Sequence, residues 1–362
     1  MGLPAGQGRA GRASPGEDAV TPVVGTLLIL AITIIGMAGI LAWGAPTIEN
    51  IQAQNAQSAI VGELEELRAS AIELSIPDAS RIPTINLPRG SLGIVQGTRM
   101  LVTANHVAGC DFRVTDWSGA SPDTAVSFAG GPCTATRLEI HQVVGSNTVL
   151  KTATNQGYAA TLSVAGVDFA QGNWLFRLTN GATNPTIYAQ AWLFDSDRVS
   201  WSLPTSSGGV AAYYDLGAVF SQDGVSVFLE KGPSLQENDF ASDVYALRVR
   251  TLSDAGGTSG IAGQGSYQVF LGLVGNHVRI DSPTVHKLRY DFQGELAESW
   301  CGALLLRNAG LTTGAYAEDG PGYACIDPTN AAEVRSVTYT RSGGTPFPME
   351  VIHASMRVTL AT

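Results

Sequence analysis

Residues 17–39 read EDAVTPVVGTLLILAITIIGMAG. The acidic pair ends at Asp18, and the next charged side chain is Glu49. From Val23 to Trp43 the run is rich in Leu, Ile and Ala, and at about 1.5 Å per residue it extends roughly 30 Å, the thickness of a bilayer's hydrocarbon core. A buried helix of a soluble protein seldom runs so far without a charge. A secretory signal peptide has an apolar region of about 7–15 residues that ends at a small-residue cleavage site. This run is longer and a second helical pattern follows it, so it reads as a segment kept in the mature chain. Arg9 and Arg12 precede it, and no Lys or Arg follows until Arg68. The excess of positive charge before the span predicts a cytoplasmic N-terminus and an extracellular remainder, that is, a single-pass protein of the cell membrane in contact with lipid.

The physics of the span is that of a helix apolar on every side, stable in lipid and in a bundle of like helices. Gly25, Gly36, Ala38 and Gly39 are small enough to let neighbouring helices approach closely. Pro22 falls in the first turn, where its missing N–H costs little. Trp43 suits the membrane interface, and Pro46 is expected to kink or interrupt the helix there.

Residues 47–75, TIENIQAQNAQSAIVGELEELRASAIELS, carry a second pattern. Ile60, Leu64, Leu67, Ala71 and Leu74 step by four and three, an apolar stripe on one helical face, and Ala53 and Gln57 extend it backwards. Glu63, Glu65, Glu66, Arg68 and Glu73 occupy the other faces. A stalk helix packed on its own head fits this pattern, and so does a helix whose first half also meets neighbouring chains. Pro77 ends it.

The order Glu17-Asp18-Ala19, then Val20-Thr21-Pro22-Val23-Val24-Gly25, then a long apolar run with an Ala31-Ile32-Thr33 step, resembles the N-terminal signature of archaeal type IV pilins. The match covers about 30 residues of 362. The resemblance implies cleavage by a prepilin peptidase between Ala19 and Val20, with residues 1–19 left as a cytoplasmic leader. It also implies that residues 20–76 form the transmembrane and assembly helix, with Pro22, Gly25, Gly36, Gly39 and Trp43, and the stalk helix. The implied partners are other pilin subunits, the peptidase and the pilus assembly machinery. Bacterial type IV pilins carry Glu at the fifth mature position; Val24 stands there, as is common in the archaeal branch.

From residue 80 helical periodicity gives way to strand signals: period-two runs, β-branched and aromatic enrichment, and Gly, Asn and Asp turns. Thr98–Thr103, Thr136–Val144, Asn173–Thr179, Val244–Arg250 and Val351–Leu360 are examples. Asn180-Gly181, Asp223-Gly224 and Gly256-Gly257 are tight-turn candidates. Roughly fifteen or more short strands are expected. The fold class is therefore α+β: a long hydrophobic N-terminal helix and a large β-rich head over 80–362. The head is either one sandwich of unusual size or two lobes divided near 204–209. Cys110, Cys133, Cys301 and Cys325 form two local couples, 23 and 24 residues apart, without the close spacing of a zinc site. Outside the cell they would be two disulfides; otherwise they are buried thiols.

The net charge of −10 argues against a nucleic-acid partner, which wants a basic face. No complete catalytic set is present, and the chain does not read as an enzyme. Val102-Thr103-Ala104-Asn105-His106 faintly resembles the His step of trypsin-like proteases, but no Gly-Asp-Ser-Gly turn follows, so a strand end is the plainer reading. His277 and His286 flank Asp281 and could meet on a hairpin as metal ligands, though surface strand positions are commoner. Asp195, Asp197 and Asp215 lack the Gly and distant Glu of a calcium loop. Glu295 and Glu298 near Trp300 read as a solvated edge rather than paired acid catalysts. No cofactor or metal is expected. Asn184-Pro185-Thr186 is excluded as a glycosylation acceptor by its Pro, and no other acceptor occurs. A subunit of an extracellular filament is the expected function; a minor pilin or an anchored surface protein with an adhesive head is the alternative.

Overall fold

The stripe at Ile60, Leu64, Leu67, Ala71 and Leu74 is buried, as its spacing predicts, and it is the first layer of the head. The computed structural model describes residues 20–361 except 75–77, 116, 118–123, 130–136, 146, 156–160, 165–166, 168, 170–171, 207, 233–234, 238–244, 257–259, 280–283, 308–313, 319–324 and 326–333. The chain divides into two compact units, residues 1–52 and 53–362. Helix α1, Val20–Glu73, contributes to both. Pro46 lies inside it and does not interrupt it. Pro46 cannot donate to the preceding turn, and nearby the Thr47 hydroxyl donates back to the Trp43 carbonyl at 3.2 Å.

The strands follow in the order β1 Ser80–Arg81, β2 Thr84–Leu87, β3 Ser91–Gln96, β4 Arg99–Asn105, β5 Asp111–Val114, β6 Thr124–Ala129, β7 Arg137–Val144 and β8 Asn147–Asn155. Next come β9 Thr161–Val164, β10 Asn173–Thr179, β11 Ile187–Phe194, β12 Asp197–Leu203, β13 Val210–Asp215, β14 Ala218–Asp223, β15 Ser226–Lys231 and β16 Leu235–Glu237. The last are β17 Tyr245–Asp254, β18 Gly260–Ala262, β19 Gly265–Arg279 and β20 Lys287–Gln293, then helix α2, Ala297–Leu306, then β21 Gly314–Glu318, β22 Arg335–Arg341 and β23 Met349–Ala361.

They form three sheets. A twelve-stranded sheet has the path β1-β19-β23-β17-β12-β13-β14-β15, with β2, β3, β16 and β18 paired beside it. An eight-stranded sheet runs β21-β22-β20-β4-β11-β10-β7-β8, and a three-stranded sheet runs β5-β6-β9. The described pairings are antiparallel except β17 with β23, which run parallel from Tyr245↔Met349 to Asp254↔Val358. The fold is α+β, with an apolar N-terminal helix and a large β-rich region.

Three cores separate four layers. The first holds the α1 stripe against the twelve-stranded sheet, through Trp201, Tyr214, Leu271, Met356 and Val358. The second lies between the two large sheets and takes in α2. The third lies between the eight- and three-stranded sheets, around Phe112, Phe169 and Phe176. Strands in the inner layers are buried on both faces, so alternate residues enter different cores. Met100, Val102 and Ala104 of β4 face the middle core, and Leu101 faces the outer one. In β23, Ala354, Met356, Val358 and Leu360 share the α1 side, while Met349 and Val351 enter the middle core.

Residues 204–209 connect β12 to β13, which are adjacent antiparallel strands, and residues 53–362 form one compact unit. The head is not purely strand beyond residue 80: α2 contributes Ala297, Trp300, Cys301, Ala303 and Leu304 to burial. Cys301 and Cys325 are disulfide-bonded, with Cα atoms 5.4 Å apart. Cys110 is also disulfide-bonded, while Cys133 lies outside the described residues.

Candidate functional site

The apolar half of α1 is the feature of this chain that packing in the head does not account for. An 18-residue window of it has a mean hydropathy of 2.5, none of it buried, and the helix is long and apolar enough to cross a membrane. Val23, Leu27, Leu28, Ile32, Ile35 and Leu41 point in different directions around the helix, yet all are exposed. Trp43 is 82% exposed. The polar side chains in the run are internally satisfied: Thr26 donates to the Val23 carbonyl at 2.9 Å and Thr33 to that of Ile29 at 2.7 Å. Such back-bonding hides a hydroxyl from a solvent that cannot accept it. A Cβ built at Gly25, Gly36 or Gly39 would meet nothing within 4 Å, so nothing in the chain itself fills the flat surface at these glycines. Val20 begins the helix and Pro22 lies in its first turn, while Ala19 is outside the described residues.

From Ala53 onward the same helix buries one face only. Gln57, the weakly polar member of the stripe, donates its amide to the carbonyls of Ala211 at 2.9 Å and Gln222 at 2.7 Å. Three turns later Arg68 donates to the carbonyls of Gly217 at 2.9 Å and Gly232 at 3.1 Å. Asn86 donates its backbone and side-chain N–H groups to Glu63. The helix is thus fixed to the twelve-stranded sheet by apolar packing and by charged or amide donors at both ends.

Several candidate residues have structural partners. His106 directly follows β4, with Nδ1 2.9 Å from the Thr284 carbonyl and Nε2 3.3 Å from Gln190 Oε1. His277 has its backbone opposite His353 in the β19–β23 ladder. Its side chain and Asp281 lie outside the described residues, so the His277–Asp281–His286 ligand idea falls there too. Buried His353 has Nε2 2.9 Å from Thr251 Oγ1 and packs edge-on to Phe194. Asp195 accepts from the Gly172 N–H at 2.8 Å, and Asp197 from the Asp254 N–H at 2.7 Å. Burial pushes the Asp197 carboxyl above its ordinary value.

The aspartates do not converge. Asp215 turns into the head, fully buried, where it accepts from the Thr98 N–H at 3.2 Å and from Trp300 Nε1 at 2.9 Å. Desolvation holds its carboxyl above the usual range. Glu295 hydrogen-bonds Arg198, whose guanidinium lies 4.6 Å over the Tyr213 ring. This Asp215–Trp300–Arg198–Glu295 group is not apparent in the sequence, because its members come from distant segments.

Among the described residues no group of three or more His, Cys, Asp or Glu is placed to hold a metal ion. Two small cavities lie in the middle core, one beside Trp192 and His353 and one beside Tyr290 and Trp300, each about 10 Å³. A volume that small is at the threshold for a single water and leaves no room for a substrate. The arrangement described here can anchor, pack and present a surface. Compared with known protein families, curated proteins and solved structures, the chain matches none.

Proposed function

We propose that the chain is a pilin-like structural subunit of an extracellular type IV pilus-like filament. A prepilin peptidase cuts between Ala19 and Val20. Residues 20–45 then hold the subunit in the cell membrane, with the leader side cytoplasmic and the β-rich head outside, until assembly transfers the helix into a bundle with other subunits. The observation that carries this reading is the change of character along α1. The helix is apolar and exposed on all sides from Val23 to Trp43, then one-sided and packed on the head from Ala53. A helix of the first kind is stable only where something apolar surrounds it, and lipid and neighbouring helices both qualify. The leader motif EDAVTPVVG supplies the processing site.

The size of the head favours a second reading within the same frame. Four layers over 53–362 are more than a packing unit needs. A minor pilin, or an anchored surface protein whose head adheres to a partner, would use such a surface.

The test is N-terminal peptide mass spectrometry on material sheared from the cell surface. A mature terminus at Val20 in abundant sheared filaments is the expected result. The same terminus in a sparse fraction supports the minor-subunit reading. An uncut terminus found only in membranes would rule out the filament.

A further inference from the structure

The chain has three lysines; Lys151 and Lys231 are exposed, and Lys287 is half-buried. Lys287 opens β20, directly opposite Asn105 at the end of β4. Directly opposed side chains of an antiparallel pair share a face, with Cβ atoms about 5 Å apart. Three contacts fix this end of the ladder. The His286 N–H donates to the Asn105 carbonyl at 2.8 Å, His106 Nδ1 lies 2.9 Å from the Thr284 carbonyl, and Val285 pairs with Phe347.

A short link carries the chain from β4 to β5. The Cys110 N–H closes it by donating to the Val107 carbonyl at 3.1 Å, and Cys110 is itself held in a disulfide. The link brings Asp111 and Phe112 against both opposed side chains. Lys287 Nζ lies 3.6 Å from Asp111 Oδ1, while Asp111 Oδ2 accepts from Arg113 Nε at 3.0 Å. The Phe112 N–H donates to Asn105 Oδ1 at 3.2 Å. That bond orients the amide, with its oxygen toward the backbone donor. Asn105 is 1% exposed, and its Nδ2 is buried with no hydrogen-bond partner among the described residues. Two buried N–H donors with nothing to accept them carry a desolvation penalty. The Lys287–Asp111 ion pair leaves this amide unexplained.

We propose that Lys287 and Asn105 become joined by an isopeptide bond, which staples β20 to β4 and uses Asp111 as its proton carrier. Lysine can give up its proton; arginine, which supplies nearly all the other positive charge, cannot. A proton of the Lys287 ammonium passes to Asp111 Oδ1, and the amine attacks Asn105 Cγ. The Phe112 N–H meets the negative charge that develops on Oδ1. Asp111 then gives its proton to Nδ2. The Nζ–Cγ bond has formed, the Cγ–Nδ2 bond breaks, and ammonia leaves. A second Nζ proton goes with it, so the products are an amide and ammonium, and Asp111 ends as the carboxylate it began as. The bond removes the unpartnered Nδ2 and closes a long loop of chain. It lies within the head and does not depend on the reading of α1.

The test is mass spectrometry of the full chain, purified in detergent, reduced and alkylated. The expected intact mass is one ammonia below that of the sequence counted from its observed N-terminus. Trypsin should fail to cut after Lys287, and a branched peptide should join the segment holding Asn105 to the one holding Lys287. Lys287→Arg should restore the full mass. Asp111→Asn, with the head's near-ultraviolet dichroism retained, should leave the bond unmade. A wild-type chain at full mass, with a linear tryptic peptide ending at Lys287, overturns the proposal, and this readout needs no variant to fold. An ammonia deficit that survives in Lys287→Arg places the loss elsewhere, as cyclisation at Asn180-Gly181 would, and overturns it as well. A bond that still forms in folded Asp111→Asn overturns the proton-carrier role.

Discussion

Trp300 of α2 donates its indole N–H to Asp215 at 2.9 Å, joining residues 85 positions apart in a fully buried site. It and the Thr98 N–H each donate to one oxygen of a carboxylate that has lost its water. Arg198 is the positive charge that favours the ionised form, and Arg198 is itself engaged by Glu295. Removing the indole donor by Trp300→Phe keeps most of the ring and its stacking with Phe292. It should cost about 1–3 kcal/mol, measured by urea denaturation, because a buried acceptor loses a partner. Burial raises the Asp215 pKa in the folded state. As pH rises, the unfolded chain ionises first. The contribution is full in acid, below the ordinary value of 3.8, and is lost as pH climbs through the folded pKa. Asp215→Asn abolishes this titration, although its amide faces two donors. Wild-type stability relative to that variant should therefore fall as pH rises above the ordinary value of 3.8. Parallel pH profiles would show that Asp215 is not the titrating group.

Gly275 stands at the register shift of β19 against β23. A Cβ there would lie 2.4 Å from the Gly145 carbonyl carbon, in the turn between β7 and β8. Backbone cannot move aside as a flexible side chain can. Gly275→Ala should cost about 1–3 kcal/mol or more, as overpacked sites do. Gly272→Ala, three residues earlier with nothing within 4 Å of the added carbon, is the control and should be close to neutral. Equal Tm values for the two variants would mean that the turn and β19 are not in contact.

The helix stripe is the clearest test of how much the sequence reveals. Ile60, Leu64, Leu67, Ala71 and Leu74 are legible because a 3.6-residue period leaves no other face for them. The apolar run before them is legible from length and composition alone. The strands are legible from period-two runs, and Asn173–Thr179 is read to the residue. Sheet order is not, because pairings such as β3 with β12 and β4 with β20 join segments about a hundred or more residues apart. Nothing local specifies them. Helix α2 escapes because AESWCGALLL is apolar on nearly every side and has no side-chain cap at Leu296. Its burial in the middle core removes the amphipathic signature that a surface helix shows. Asp215 likewise looks like any solvated turn carboxylate until Trp300 is brought beside it.

Leu64 is fully buried in the stripe, two residues from exposed Glu66. Leu64→Ala should destabilise the head by about 2–5 kcal/mol, the usual cost of a buried leucine including its residual cavity. Glu66→Ala, on the opposite side of the helix, should stay within about 0.5 kcal/mol. The measurement is denaturant unfolding in detergent, followed through the head's near-ultraviolet dichroism. A small effect at Leu64 would mean that residues 53–74 do not pack on the sheet.

Tyr214 sets the opposite expectation on the same interface. It is fully buried under α1, and its hydroxyl has no hydrogen-bond partner among the described residues. Burial pushes its pKa up to about 12, with the Arg250 and Arg68 charges acting weakly the other way. An unpaired hydroxyl in such a place costs free energy, so Tyr214→Phe should be neutral or stabilising by up to about 1 kcal/mol near neutral pH. The alkaline arm gives the sharper readout. Above pH 10, the ordinary tyrosine value, the unfolded chain ionises this group while the folded chain does not. Its contribution is intact below that pH and is lost as pH rises toward 12, so Tyr214→Phe should flatten the alkaline limb of the stability profile. A destabilised Tyr214→Phe at neutral pH would reveal a hydrogen bond, through a water or an undescribed segment, between the helix layer and the head.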